Sequence, residues 1–380
     1  MEKIGIICEY NPFHYGHKYH INEIKKKYPD SVLILVMSGP FTQRGDVSII
    51  NKWDKTKIAL DNKVDLVIEL PFPFATQSAD IFSHGAIEIL KHLKADKIIF
   101  GSESNNVTEL KKMAVTGLDN KAYDILVKDY LEKGLNYPTA LSKALEDING
   151  TIINTPNDLL GLCYIKEIIK QKAHIEPISI KRTNDYHDKE LKDYITSATS
   201  IREGIKNNKS VVKYLPNGVH EYINNIFLDD YFDLLKYKIL TEDISNIQTV
   251  DEGIENRIKK YIYISNSLEE LINNIKTKRY TYNKLKRMFV HILCNFTKEE
   301  AKKNKNIKYI RILGFNKQGQ KYLKEIKKEI NIPIITNYTK ENSKLLEIDF
   351  RVNSVYSYIF TNSLELTQNE FKNKPIKKEN

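Results

Sequence analysis

The sequence has few cysteines and no long apolar run, and both shortages narrow the class of protein. Cys8, Cys163 and Cys294 lie far apart in 380 residues without a C-x-x-C pair, which gives no support for a disulfide framework or a cysteine-rich zinc site. No stretch approaches the roughly 18 uncharged apolar residues that span a bilayer. The first apolar run ends at Glu9, too early for a signal peptide. We therefore expect a soluble, cytoplasmic protein with no membrane partner.

Internal repeats and low-complexity linkers are also lacking, so charge is the clearest sign of how the chain is divided. Residues 1–200 carry 26 Lys and Arg against 27 Asp and Glu, whereas residues 201–380 carry 33 against 22. Nearly all of the net charge of +10 therefore belongs to the second part. Lysine and arginine bind polyanions by displacing counterions from phosphates, which favours a nucleic-acid partner for this part. A lysine-rich solvated surface is the alternative.

Short apolar runs alternate with amphipathic stretches in the first part. The pattern predicts buried strands at residues 4–8, 31–37, 64–70, 97–100 and 175–180. Helices are predicted between them at residues 16–27, 52–62, 83–93, 108–113, 123–133, 139–148 and 159–171. This order predicts an α/β fold with a doubly wound parallel sheet of the Rossmann type, covered on both faces, as a domain of residues 1–200.

Helical periodicity dominates after residue 200. Helices are predicted at residues 200–207, 231–239, 256–264, 268–275, 282–293 and 298–305. A strand, a helix and a strand then follow at 307–315, 318–330 and 333–336, before a helix at 342–364 and a frayed polar tail at 369–380. We expect residues 201–380 to form a mainly helical, basic domain.

The loop after the first predicted strand places two histidines at the start of a helix, in the segment Asn11-Pro12-Phe13-His14-Tyr15-Gly16-His17. Ligands bind at the carboxyl ends of strands in open parallel sheets, and the free amides of a helix start favour anions. Gly16 lets a nucleotide approach the backbone. We therefore predict that His14 and His17 stabilise phosphate charge. Two surface histidines would give the same string, and no third ligand completes a metal site.

A second candidate segment, Ser197-Ala198-Thr199-Ser200-Ile201-Arg202, places hydroxyls and an arginine at another helix start. Hydroxyls, free amides and Arg202 are suited to phosphate oxygens, although a plain N-cap with Glu203 completing a capping box explains the same residues. Which of Ser197, Thr199 and Ser200 would contact phosphate is left open. Gly101 and Arg182 each follow a predicted strand. Gly101 is either an ordinary turn residue or a position where a nucleoside packs against the bare backbone.

Taken together, these segments resemble two signatures of the HIGH-type nucleotidylyltransferase superfamily. The run from Gly5 to His20, with Met37-Ser38-Gly39-Pro40-Phe41-Thr42-Gln43-Arg44-Gly45, Glu69-Leu70-Pro71-Phe72 and Phe100-Gly101-Ser102-Glu103, further resembles the bacterial tRNA(Met) cytidine acetate ligase family. The resemblance covers most of residues 1–205 and continues more loosely through the basic part.

The resemblance implies a two-step reaction. Acetate attacks the α-phosphorus of ATP, and the acetyl group of the resulting adenylate then passes to N4 of the wobble cytidine, position 34, of elongator tRNA(Met). It also implies ATP as co-substrate, with Mg²⁺ accompanying ATP and no metal site in the protein. The resemblance, together with the segment from Ser197 to Arg202, assigns the following residues to ATP: Ile7, Cys8, Glu9, Tyr10, Asn11, Pro12, Phe13, His14, Tyr15, Gly16, His17, Lys18, Tyr19, His20, Gly101, Asn157, Arg182, Thr199, Ser200 and Arg202.

The basic part interleaves cations with tyrosines, which suits an RNA backbone and unstacked bases. The cations assigned to tRNA are Lys276, Lys278, Arg279, Lys284, Lys286 and Arg287. Alternatively, the tyrosines pack between helices and do not contact RNA bases. A small-molecule adenylyl- or cytidylyltransferase remains the alternative function, and its product would keep the nucleotide attached. A non-catalytic RNA-binding protein is a third reading. The oligomeric state does not follow from the sequence.

Overall fold

A computed structural model describes residues 1–182 and 196–379. The first part alternates strands and helices. Its elements in chain order are β1 Lys3–Cys8, α1 Tyr15–Lys27, β2 Val32–Ser38, α2 Lys52–Asp61, β3 Leu66–Leu70, α3 Phe72–Ala75, α4 Ala79–His92, β4 Lys97–Ser102, α5 Val107–Asp119, α6 Lys121–Glu132, α7 Tyr137–Asn149, α8 Pro156–Lys170 and β5 Glu176–Lys181. All five strands predicted for this part are therefore confirmed.

Helices dominate the second part, as its periodicity predicts. Its elements are α9 Ala198–Lys206, α10 Phe232–Thr241, α11 Ile254–Ile262, α12 Leu268–Ile275, α13 Tyr282–Leu293, α14 Lys298–Lys303, β6 Ile310–Asn316, α15 Lys317–Ile326, β7 Ile334–Ile335, α16 Glu347–Ser357, α17 Ser363–Lys372 and β8 Ile376–Lys378, with 3₁₀ turns at Val212–Tyr214, Val219–Tyr222 and Leu228–Tyr231.

One sheet runs through both parts in the order β5-β4-β1-β2-β3-β6-β7, with β8 beside β6. The first five strands are parallel, so the carboxyl ends of β1, β4 and β5 share one edge. The expectation of a purely parallel sheet is corrected at β6, which pairs antiparallel with β3. The chain reaches β6 only after the helical segment, so no right-handed crossover has to connect it to β3.

Both faces of the sheet are covered, which accounts for the continuous apolar runs of the parallel strands. In β2, Val32, Ile34 and Val36 belong to one core, while Leu33, Leu35 and Met37 belong to the core of the opposite face. Helices α4, α5, α8 and α15 supply the first core, and α1, α2 and α9 supply the second. The doubly wound arrangement is thus confirmed.

The helical segment has its own core and receives side chains from the first part. Phe41 and Phe72 enter that core, where the ring centroids of Phe72 and Phe296 are 5.4 Å apart and those of Phe41 and Tyr231 are 6.3 Å apart. The expected division at residue 200 stays a prediction. The sheet does not follow it, since β6, β7 and β8 come from the second part.

Two expectations for the C-terminal end are wrong. The single helix expected at 342–364 is instead α16 and α17, separated at residues 358–362. The tail expected to fray contains β8, which pairs in parallel with β6 from Gly314 opposite Ile376 to Asn316 opposite Lys378. Short polar tails carry no period that would reveal such a strand, because the partner strand supplies its order. None of the helices in the described ranges is long and apolar enough to cross a bilayer.

Candidate active site

The loop after β1 turns into α1 through a histidine cap. Nδ1 of His14 accepts a hydrogen bond from the backbone N–H of Gly16 at 3.0 Å, and the backbone N–H of His14 donates to Nδ1 of His17 at 3.3 Å. The two rings lie with centroids 4.0 Å apart. Tyr10 and Phe13 hold the His17 ring from the other side, with centroids 4.8 and 5.7 Å away. The histidines are therefore fixed in place before any ligand arrives.

These contacts also determine how the two rings are protonated. Because Nδ1 of each ring accepts from a backbone amide, a neutral ring carries its proton on Nε2. Burial, followed by Arg182 and Arg202, lowers the pKa of His14 to about 3, and burial, followed by His14, lowers the pKa of His17 well below its ordinary value. In the unliganded protein both imidazoles are neutral Nε2–H donors. They can stabilise a phosphate oxygen by hydrogen bonding without bringing a charge of their own.

Arg202, the fifth residue of α9, reaches back to the loop after β1. Its Nη1 donates to the carbonyl oxygen of Asn11 at 2.7 Å, and its Nη2 lies 3.4 Å from Asp46 and from the hydroxyl of Thr199. The Asn11 side chain fixes this loop in turn, since it donates to the carbonyl oxygen of Val47 at 3.0 Å. The two predicted signature segments therefore come together in the fold.

The start of α9 serves partly as an ordinary cap, as the alternative interpretation held. The cap is Ser197, whose hydroxyl accepts from the backbone N–H of Ser200 at 3.1 Å and lies 2.8 Å from the Ser200 hydroxyl. Ser200 is fully buried, whereas Thr199 and Arg202 face a cavity. The predicted capping box from Ser200 to Glu203 is thus replaced by a cap three residues earlier.

Glu103 organises a second group at the ends of β4 and β5. Its carboxylate accepts from the side chain of Asn157 and from the backbone N–H of Asp158, the latter at 3.1 Å, and lies 3.7 Å from Nε of Arg182. A Cβ at Gly101 would stand 3.3 Å from the Arg182 side chain, so glycine leaves that side chain room. Gly101, Asn157 and Arg182 thus form one patch, as the resemblance implies.

One cavity of about 1090 Å³ lies at the carboxyl edge of the parallel strands, and most of these groups line it. The predicted ATP-site residues that line it are Ile7, Cys8, Glu9, Tyr10, Asn11, His14, Gly16, His17, Tyr19, His20, Gly101, Asn157, Arg182, Thr199 and Arg202. Pro12, Phe13, Tyr15, Lys18 and Ser200 are not among the lining residues, because the turn into α1 and the caps direct their side chains elsewhere.

Half of the cations assigned to tRNA line the same cavity. These are Arg279, Lys284 and Arg287. Lys286 instead bonds to the carboxylate of Asp46, and Lys276 and Lys278 are exposed outside the cavity. The histidine pair and the basic helical segment therefore share one space, which sequence spacing does not reveal.

Three charged residues at the site had no role assigned from the sequence. Lys55 of α2 donates to the carbonyl oxygens of Glu9, Ser38 and Gly39 at 3.0, 2.8 and 3.1 Å. Asp46 pairs with Lys286 and Arg202; burial opposes its ionisation, but the two cations prevail and lower its pKa to about 2. Arg44 also lines the cavity. Their signal in the sequence is weak, because Arg44 and Asp46 merely flank Gly45 and Lys55 is one of several lysines in a polar stretch.

Within residues 1–182 and 196–379, no cluster of three or more His, Cys, Asp or Glu side chains is arranged to hold a metal ion. The prediction that the protein has no metal site of its own is not tested by that finding. Beside carboxylates such as Glu9 and Asp46, the cavity is lined by hydrogen-bond donors and by the cations Arg44, Arg182, Arg202 and Arg287. Such a lining is suited to a polyphosphate and a second anionic ligand.

Comparisons with known proteins agree with this geometry. The family model described as HIGH Nucleotidyl Transferase matches residues 1–371. The chain is 39% identical to the tRNA(Met) cytidine acetate ligase of Geobacillus sp. (strain WCH70), over 95% of each chain. It is 38% identical to the protein of the same name from Clostridium novyi (strain NT), covering 99% of both.

Two solved structures share the whole fold. Thermotoga maritima TmcAL in an apo form has a TM-score of 0.92 at 28% identity, and the same protein bound with alpha-thio ATP has a TM-score of 0.89 at 29% identity. Each comparison covers 100% of both chains. The similarity therefore extends through the helical segment and the C-terminal strands as well as the nucleotide-binding part.

Proposed function

Because the chain belongs to the HIGH nucleotidyl transferase family, and within it to the tRNA(Met) cytidine acetate ligases, we propose that it is an ATP-dependent ligase acting on elongator tRNA(Met). It activates acetate as acetyl-adenylate and transfers the acetyl group to N4 of the wobble cytidine. Support for ATP comes from the nucleotide-bound Thermotoga maritima protein. Support for tRNA and acetate comes from the names of the relatives.

In the first step, a carboxylate oxygen of acetate attacks the α-phosphorus of ATP, and the bond to the β-phosphate oxygen breaks as pyrophosphate leaves. His14 and His17 donate their Nε2–H groups to phosphate oxygens, and the positive end of the α1 helix dipole favours the same anion. Arg182 and Arg202 supply the positive charge that the neutral imidazoles lack. Mg²⁺ accompanies ATP in this proposal, held by the triphosphate itself.

In the second step, N4 of the cytidine attacks the acetyl carbonyl carbon, the bond to AMP breaks, and the amine loses a proton. No nucleophilic side chain is required, since the adenylate is already a good acyl donor. Burial, the largest influence, raises the pKa of the Cys8 thiol to about 12, which keeps this nearby sulfur in its unreactive form. Arg279, Lys284 and Arg287, which line the same cavity, receive the RNA. A cytoplasmic location follows from the tRNA substrate and is part of the proposal.

The observation that carries this function is that the histidine pair and the basic helical segment face the same cavity. A nucleotidyltransferase acting on a small molecule has no use for that basic wall. The test is to incubate the protein with ATP, acetate and total tRNA and to examine the tRNA by mass spectrometry. We expect the gain of one acetyl group on a single cytidine, with release of AMP and pyrophosphate. A product that keeps the nucleotide attached would overturn the proposal.

Two further measurements test the histidine site and the basic wall separately. His17→Ala should lower acetate-dependent ATP–pyrophosphate exchange by about 100- to 1000-fold, as for loss of one preorganised donor. The exposed His220→Ala is the matched control and should retain the activity. Affinity for tRNA should fall steeply as salt is raised, since the contacts are mainly to phosphate. A flat salt response would contradict the role of the basic wall.

A further inference from the structure

Residues 43–46 and α13 meet in a tight contact, here called the loop–helix junction. A Cβ at Gly45, where φ is +80°, would lie 2.5 Å from the backbone nitrogen of Arg287. Lys286 bonds to the carboxylate of Asp46, and Nη1 of Arg287 donates to the carbonyl oxygen of Gln43 at 3.5 Å. The loop comes from the nucleotide-binding part and the helix from the basic part. Their relative position is therefore fixed by backbone contact and by an ion pair.

Two arginines project from this junction into the cavity. Arg44 comes from the loop and Arg287 from the helix, and both line the cavity. Burial, followed by repulsion from Arg44, lowers the pKa of Arg287 to about 10, so the guanidinium remains charged at neutral pH. Asp46, the acid at the junction, is already paired with Lys286 and Arg202. In the part of the chain that the structure describes, no ion pair to Arg287 is found.

A largely buried cation without an anion is costly, because burial removes its hydration. That cost is recovered when an anionic ligand enters. The ATP phosphates are already provided for by the histidine pair, the start of α1, Arg182 and Arg202. Arg287 belongs instead to the helix that also places Lys284 in the wall assigned to RNA. The ligand that fits is a second anion with a single charge spread over oxygens.

We infer that Arg44 and Arg287 together bind one phosphodiester group of the acceptor RNA, beside the nucleotide that is modified. This inference rests on the proposed function and adds a specific subsite to it. The two guanidinium groups approach the phosphate from different parts of the chain, so the subsite depends on the contact at the loop–helix junction. The backbone N–H of Gln43, in the same loop, donates to Oε1 of Glu9 at 2.6 Å. The RNA subsite and the loop after β1 are thus joined through one residue.

The first experiment compares Arg44→Gln and Arg287→Gln with the wild-type protein in two assays. Loss of one charged hydrogen-bonding group should raise the KM for tRNA by about 10- to 100-fold. Acetate-dependent ATP–pyrophosphate exchange, which needs no RNA, should fall by far less. The control is Arg257→Gln, an exposed arginine of the same basic part that lies outside the cavity. An equal loss in both assays would assign the pair to the adenylation step, to ATP or to acetate, and overturn the inference.

The second experiment replaces single phosphates of the tRNA by neutral methylphosphonate, on either side of the target cytidine. One replacement should raise the KM of the wild-type protein and have little further effect on Arg44→Gln or Arg287→Gln, because the partner is already missing. Each variant should also reduce the salt dependence of tRNA binding by about 0.7 in the logarithmic slope. Additive effects at both positions would overturn the inference. If the wild-type protein acetylates no tRNA at all, the proposed function itself fails, which is a separate outcome.

Discussion

Nζ of Lys55 donates a hydrogen bond to the carbonyl oxygen of Glu9 at 3.0 Å, and this contact joins α2 to the loop that leads into the histidine pair. The same ammonium group donates to Ser38 and Gly39 at the end of β2. All three of its protons are therefore used inside the protein. The lysine fixes the ends of two neighbouring strands without contacting the cavity.

Replacing this lysine should damage both stability and nucleotide binding. Lys55→Met keeps the length of the side chain but leaves three buried carbonyl oxygens without their donor, at about 1 to 3 kcal/mol for each that stays unsatisfied. We expect a lower free energy of unfolding in urea and a higher KM for ATP in the exchange assay. Lys57→Met, on the exposed side of the same helix, is the control. Equal stability of the two variants would contradict this role.

The same lysine predicts how stability depends on pH. Burial is the main cause that lowers the pKa of Lys55, from 10.5 to about 7. Between these values the unfolded chain binds the proton more strongly than the folded chain, so stability rises with pH across that window. The difference in unfolding free energy between wild type and Lys55→Met should shift in favour of wild type by about 1.4 kcal/mol per pH unit at most. Denaturant titrations at several pH values measure it, and parallel curves would refute it.

Because the two histidines are neutral, their ionisation should not appear in the pH profile of activity. Because burial lowers the pKa of His14 to about 3, the ring does not titrate near its ordinary value of 6.5. The profile of kcat/KM for ATP reports groups of the free enzyme, so it should show no limb from these rings between about pH 5.5 and 8. A limb near pH 6.5 that disappears in His14→Asn would show that the ring is charged in the free enzyme.

Glu103 should affect ATP binding through Arg182 and Asn157, the two residues whose side chains it contacts. Glu103→Gln weakens the contact with Arg182 and alters the anchor of Asn157, so we expect the KM for ATP to rise about 10-fold while kcat changes less. Glu325→Gln, at an exposed position of α15, is the control for loss of a surface charge. Should kcat fall while KM stays constant, Glu103 does more than position its neighbours.

The C-terminal helix should prove essential to stability. Glu370 of α17 is buried between Lys52 and Arg311, 2.9 and 2.8 Å away, and accepts from Nε1 of Trp53 at 3.2 Å. Removing one partner of a buried ion network leaves the others uncompensated, at about 3 to 5 kcal/mol. Glu370→Ala should therefore lower the free energy of unfolding by that amount, whereas the exposed Glu365→Ala should not. Equal unfolding midpoints would show that Lys52 and Arg311 are satisfied by Glu69 alone.

Sequence periodicity predicted the strands of the first part well because each is an apolar run bounded by polar residues. The short β7 was also predicted, but β8 was not, since Ile376–Lys378 is ordered by pairing with β6 rather than by its own apolar pattern. The residues of the candidate site likewise divide into those that the local sequence predicts and those that only tertiary contacts reveal. His14, His17, Gly101, Arg182 and Arg202 stand in recognisable segments, whereas Lys55 and Asp46 act only through contacts that the sequence does not show.

By itself, the sequence determined the alternation of strands and helices, the histidine pair at the start of α1 and the basic charge of the second part, because each depends on residues close together in the chain. The tertiary structure alone decided that β6 extends the sheet antiparallel to β3, that Asp46 joins Lys286 to Arg202, and that residues of the basic segment line the same cavity as the histidines. The strand pairing joins residues up to 249 positions apart, with Leu66 opposite Phe315, and only the packing of the two parts of the chain against each other brings such residues together.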